Sequence, residues 1–410
     1  MESTSTLSHP LHTHQSKTSF ASLLLGIPMY VYVVAICSCL VISGILWDIA
    51  WHMTIGRDGL FSAPHNLIYI GAAFAGIISG FQVLKTSFWG NATEKGKMVN
   101  FWGIFYSSLG GMFCIWGGFA AGTSAPFDDW WHNTYGLDVQ IFSPPHTVLL
   151  LGLISIQIGA MIMVLAILNR KEKIASLTKE QNEARNIRLR WIFIFTAGMV
   201  LATAYTFMFE FLGRWNMHGA LFYQIGSALF PLLIIPFSRA SGSKWGATYS
   251  ALIYMIYYIA INATLRMFPA EPLLGPIANP VTFYQTTAFP LLLVFPAMVI
   301  DILTTKFGAK NDWFLAILMG FGFLATFLII QYPAGNFLLE SPYARNWFFQ
   351  SDAWSYSSSA DWEYRYKFAP WDVTEGIEAW AKGGGIALLL GILSARVGLL
   401  WGKWMQKVQR

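Results

Sequence analysis

The chain has 410 residues, of which 55% are hydrophobic, 16% aromatic and only 11% charged, with a net charge of +5. A soluble domain carries about 25% charged residues, so this composition excludes a soluble globular protein and indicates an all-α polytopic transmembrane bundle. The modest positive charge needs no nucleic acid, because basic cytoplasmic loops produce it.

Residues 1–28 form a polar, Ser/Thr-rich tail carrying His9, His12 and His14. No small-residue cleavage site follows the first apolar run, so that run is expected to be retained rather than removed as a signal peptide. A bilayer crossing takes about 20 apolar residues. Ten runs meet that need: 29–51, 65–85, 101–121, 146–168, 191–212, 220–237, 247–267, 283–303, 313–332 and 383–403. Cys37, Cys39 and Cys114 lie inside such runs without a CxxC pattern, which argues against a disulfide framework.

Orientation follows from lysine and arginine. They concentrate in loop 85–100, in linker 169–190, in loops 238–246 and 304–312, and at the C-terminus. With ten spans these segments and the N-terminus share one side, which the positive-inside rule makes cytoplasmic. Segments 52–64, 122–145, 213–219, 268–282 and 333–382 then face outward across a plasma (inner) membrane. Linker 169–190 is the predicted boundary between a four-helix region, 29–168, and a six-helix region, 191–410. Segment 333–382 holds Trp347, Trp354, Trp362, Trp371 and Trp380 and is expected to form a partly ordered interfacial cap.

The four-helix region contains a repeat. Asp48, Trp51, His52, Asp58, Phe61, Pro64 and His65 recur as Asp128, Trp131, His132, Asp138, Phe142, Pro145 and His146. Asp48 and His52 are four apart, as are Asp128 and His132, so each pair shares a helix face. Pro64 and Pro145 suit the first turn of the next helix, which returns His65 and His146 beside the preceding helix end. Each copy thus assembles a carboxylate and two imidazoles near the outer surface, a donor set that suits copper, zinc or iron. Ionisable groups at membrane depth are paired, solvated or functional. Hydrogen-bonded clusters capping helix ends remain the structural alternative. Asp58, Asp129 and Asp138 are candidates for orienting the histidines, and Arg57 for neutralising Asp58.

Outside the repeat, Glu210 and Arg214 have the spacing of an ion pair. His218 offers either an interfacial hydrogen bond or a path for metal or protons. Asp301 reads as an interfacial carboxylate near Lys306.

The motif Asp48-x3-His52-x12-His65, with Trp51, Thr54-Ile55, Arg57-Asp58 and Phe61, resembles the C subunit of copper-dependent membrane monooxygenases, the particulate methane and ammonia monooxygenase family. A second motif of that family is Asn-x3-His-x13-His. Here the spacing is kept by Asp128, His132 and His146, with aspartate replacing asparagine. Trp245-Gly-Ala-Thr248, Phe295-Pro-Ala-Met-Val-Ile-Asp301, Tyr332-Pro-Ala-Gly335 and the final span ending at Trp401-Gly-Lys-Trp404 are similar, more weakly, to the family's A subunit. The resemblance implies a C-like half fused to an A-like half. It implies copper at both motifs, with Asp48, His52 and His65 as the catalytic site, and hydroxylation by O2 of a small apolar or nitrogen-containing substrate. It also implies quinol or another electron donor, a cupredoxin-like B-type subunit and a trimeric assembly. A copper-handling membrane protein without turnover and a proton-coupled transporter are the other readings.

Overall fold

The computed structural model describes residues 24–56, 59–136 and 143–410. The long helices are α1 (Met29–Thr54), α2 (Ala63–Trp89), α4 (Leu109–Tyr135), α5 (Pro144–Arg170), α6 (Lys179–Phe207), α8 (Ala220–Ala240), α9 (Gly246–Leu265), α10 (Val294–Phe307), α11 (Asp312–Glu340) and α12 (Ile377–Met405). Among the described residues there are also short helices α3 (Ala92–Gly96) and α7 (Phe209–Leu212), 3-10 turns at Arg214–Asn216, Pro342–Ala344 and Pro370–Asp372, and the two-stranded hairpin β1 (Val99–Phe101) and β2 (Phe105–Ser107). Eight helices among the described residues, all but α4 and α10 of the long ones, are apolar and long enough to cross a membrane. The protein is an all-α multi-pass membrane protein.

The two remaining expected spans differ from their sequence outline. The run at 101–121 opens in the hairpin instead of a helix. Trp102 and Gly103 turn the chain at φ 54° and 75°. Ser108 then accepts a hydrogen bond from Gly111 N at 3.1 Å, which starts α4 later and lets it run on to Tyr135. The run at 283–303 is helical only from Val294, and 14 residues rise about 21 Å, too short for a bilayer core.

Residues 283–293 enter extended and largely buried. Pro290 disfavours helix at the residue before it. The unpaired backbone groups are met by side chains from elsewhere. Gln285 N donates to Thr54 Oγ1 at 2.7 Å, Leu291 N to the Tyr254 hydroxyl at 2.9 Å, and Leu292 N to Gln331 Oε1 at 3.1 Å. Thr287 O and Phe289 O accept from Asn262 Nδ2 and the Tyr205 hydroxyl at 3.2 Å. Irregular backbone survives at membrane depth only when protein satisfies it in this way.

Helix contacts set the site geometry. A Cβ on Gly117 of α4 would lie 2.6 Å from Gly152 O of α5, so no larger residue permits this approach. Val41 Cγ1 of α1 would similarly sit 2.8 Å from a Cβ on Gly71 of α2. Both pairs run antiparallel and bring the C-terminal ends of α1 and α4 beside the starts of α2 and α5.

The linker at 169–190 is shorter than its charge suggests. α5 continues to Arg170, and Thr178 opens α6 with a reciprocal capping box to Gln181. One hydrophobic cluster runs from Ile27 to Met405 across both regions. Gln157 of α5 donates to Thr203 Oγ1 of α6 at 2.8 Å. The segment between Glu340 and Ile377 contains the buried Trp354.

Candidate metal centre

α1 carries Asp48 and His52 one helical turn apart. Ser62 precedes α2, with Pro64 and His65 in its first turn. Asp48 Oδ1 lies 3.8 Å from His52 Nε2 and 3.3 Å from His65 Nε2. The second copy repeats this on α4 and α5. Asp128 Oδ2 is 3.4 Å from His132 Nε2, and its Oδ1 is 3.5 Å from His146 Nε2. Ser143 caps α5, accepting from His146 N at 3.5 Å. One ligand atom from each of Asp128, His132 and His146 lies within 4.8 Å of the others. All three residues are half-buried. His52 is the most open of the six, with 48% of its side chain exposed.

The far side of the rings decides what the near side presents. His65 Nδ1 faces Gly59 O at 3.2 Å, and His132 Nδ1 faces Gly136 O at 3.3 Å. A carbonyl only accepts, so Nδ1 carries the hydrogen. Unless the ring is protonated, Nε2 then turns a lone pair toward the carboxylate. Two acceptors at this range repel, and a cation between them removes the repulsion. Donors at about 2.0–2.1 Å from a tetrahedral metal lie about 3.3 Å apart, close to the three shorter separations. Asp128 Oδ1 is shielded from solvent and makes no hydrogen bond among the described residues, so an electrophile there fits the residues present.

Gly136 is essential to this arrangement. It follows α4 at φ 88°, where a side chain is strained, and its N donates to His132 O at 3.1 Å. The same turn aims its carbonyl at the imidazole. Backbone carbonyls of Gly59 and Gly136 thus meet these two histidines at Nδ1. Asp129 is exposed and accepts from Asn133 Nδ2 at 3.2 Å. Arg57, Asp58 and Asp138, like His9, His12 and His14, lie outside the described residues.

The six-helix region grips the first site. Met53 O accepts from Tyr356 N at 3.0 Å, and Ile55 O from Leu273 N at 2.9 Å. Trp47 and Trp51 pack around Ala50, Ile55, Leu265 and Tyr284. Sequence reading missed these partners because their contacts are long-range and mostly to backbone.

The remaining candidates have structural roles. Arg214 is buried and donates to Gln350 O and Ala353 O at 3.0 and 3.3 Å, tying the segment after α7 to the cap, while Glu210 is exposed. Burial lowers the Arg214 pKa to about 10, against the raising effect of Tyr366 and Asp352. His218 stacks between Tyr332 and Phe368, at ring distances of 3.9 and 3.8 Å, and its Nε2 meets Tyr332 O at 3.3 Å. Asp301 is enclosed by protein: it is 1% exposed and accepts from Ser238 Oγ, Thr248 Oγ1, Thr248 N and Ala247 N at 2.6–3.3 Å. It caps α9 from a neighbouring helix. The cysteines are free.

Together the fold and the sites define a multi-pass membrane protein with a duplicated Asp/His2 cluster, of which Asp128, His132 and His146 form a triad that could hold a metal ion. Comparison with protein-family models, curated proteins and solved structures finds no match for the chain.

Proposed function

We propose that this chain is a copper-dependent membrane monooxygenase, or its membrane subunit, acting on a small apolar or nitrogen-containing substrate. The observation that carries the reading is geometric: two aspartates, each facing two histidine Nε2 atoms at 3.3–3.8 Å. The preference for copper over zinc or iron rests on the resemblance of Asp48-x3-His52-x12-His65 to the monooxygenase motif.

Asp48, His52 and His65 would hold the catalytic copper. Asp128, His132 and His146 would hold a second ion or relay electrons. Copper, when bound, would supply O2 activation with electrons from quinol or another donor. Nδ1–carbonyl hydrogen bonds would turn the Nε2 lone pairs of His65 and His132 toward the carboxylates, each of which stands between two rings. The bilayer would concentrate apolar substrates. By the positive-inside rule both sites face outward and both termini the cytoplasm, which leaves them open to a cupredoxin-like partner. A homotrimer is part of the same proposal.

Elemental analysis of protein purified without chelators tests the metal, and substrate-dependent O2 uptake tests the chemistry. The expected result is stoichiometric copper that falls in Asp48→Ala and His132→Ala, with O2 uptake lost alongside it. Metal without turnover would indicate copper handling. Metal-free wild-type protein with proton-linked flux would replace the reading with a transporter.

A further inference from the structure

The end of the bundle opposite the histidines holds a second charged cluster, built from three helices. Asp312 opens α11, where Asn311 caps the helix by accepting from Trp313 N at 2.8 Å. Lys403 Nζ and Arg396 Nη1 of α12 lie 2.6 and 3.7 Å from Asp312 Oδ2, and Arg239 Nη2 of α8 lies 3.9 Å from Oδ1. Three cations against one carboxylate leave two positive charges unbalanced within these four residues. Only the Lys403 contact is short enough for a hydrogen bond.

Arg396 is unusual in its depth. It stands nine residues before the end of a candidate span, about 14 Å along the helix. A charge there is costly unless its side chain reaches the interface or a partner. Its Nε and Nη1 are shielded and make no hydrogen bond among the described residues. Its guanidinium lies 5.3 Å from the Trp313 ring. The flanking surface is apolar and open: Trp313, Leu393, Val397, Leu400 and Trp404 are exposed, and tryptophan favours the headgroup level. Lys403 is half-exposed on the same edge.

We propose that Lys403 and the open part of Arg396, with the buried Arg239 adding positive charge from beneath, bind a phosphate group at the membrane interface, that of an anionic phospholipid headgroup whose chains lie along Leu393, Val397 and Leu400. The phosphate supplies the negative charge that Asp312 alone does not, and a charge-assisted hydrogen bond from the half-exposed Lys403 ammonium anchors it. Basic pockets between helices at a membrane surface suit such headgroups. This proposal is independent of the metal sites.

The test uses the full chain in detergent, with thermal unfolding and native mass spectrometry in added phosphatidylglycerol, phosphatidylcholine or inorganic phosphate. Phosphatidylglycerol is expected to raise the unfolding midpoint and to remain bound, while phosphatidylcholine does neither. Lys403→Gln and Arg396→Gln should each weaken phosphatidylglycerol binding about tenfold. Asp312→Asn should tighten it, which a merely structural ion pair does not predict. Should Arg396→Gln fail to fold, the exposed Lys403→Gln and Asp312→Asn still decide. An equal response to phosphatidylcholine, or unchanged phosphatidylglycerol binding in Lys403→Gln and Asp312→Asn, would overturn the proposal. The same stabilisation by inorganic phosphate alone would overturn the lipid assignment in favour of the free anion.

Discussion

Replacing Asp128 with alanine separates a metal site from a hydrogen-bonded helix cap. Asp128 stands between His132 and His146, 3.4 and 3.5 Å from their Nε2 atoms. Alanine leaves two imidazoles and removes the negative charge. Groups that merely support a metal ligand contribute about 10–100-fold in affinity. A ligand itself should contribute at least about 100-fold, which corresponds to about 2.7 kcal/mol. Asp128→Asn keeps an oxygen donor and should weaken binding less, by about tenfold. If protons alone hold the cluster together, these partly exposed contacts are worth about 0–1 kcal/mol, and metal content is not at issue. Competition titration against a chromophoric chelator, with metal counted per chain, measures the difference. His146→Ala should match Asp128→Ala, and the double variant should lose little more, since both act on one ion. An Asp128→Ala protein that keeps wild-type stoichiometry and affinity refutes the assignment.

Asp301→Ala strands two backbone N–H groups and two hydroxyls in a buried place. It should cost about 3–5 kcal/mol in denaturant unfolding, with Asp301→Asn costing less. Asn262→Leu removes the donor to Thr287 O and the acceptor from Thr287 Oγ1; a loss of about 1–3 kcal/mol is expected, and a neutral result would show that this extended segment does not depend on the bond. His218 gives a pH test. Burial pushes its pKa below the ordinary histidine value, with the Tyr332 carbonyl opposing, so the unfolded chain takes up the proton first. The stability linked to neutral His218 is complete above about pH 6.5 and declines as pH falls from there toward the lower folded value. The unfolding midpoint should drop over that window in the wild type and drop less in His218→Phe, which keeps the ring stack; equal slopes would discard the residue as a contributor.

Local chemistry was readable in advance. The Asp–His pairs share a face because four residues make about one helical turn. His65 and His146 return to them because proline opens α2 and α5. The eight long apolar helices follow from run length alone. Gly136 could also have been singled out, since glycine just after an amphipathic helix commonly adopts the left-handed turn. Pro290 hinted that 283–303 would not be one helix, but not at what would satisfy its backbone.

The sequence by itself determined the multi-pass helical class and the two carboxylate–histidine clusters. Both arise from interactions within a few residues and from transfer of apolar runs out of water. Tertiary structure decided what depends on distant partners. It turned 283–293 into buried extended chain, because Thr54, Tyr205, Tyr254, Asn262 and Gln331 supply its missing hydrogen bonds. It moved Asp301 into the core as a cap for α9 and gathered Arg239, Asp312, Arg396 and Lys403 at one end. A polar group in a membrane protein must find a partner, and which partner it finds depends on helix packing rather than on its neighbours in the chain.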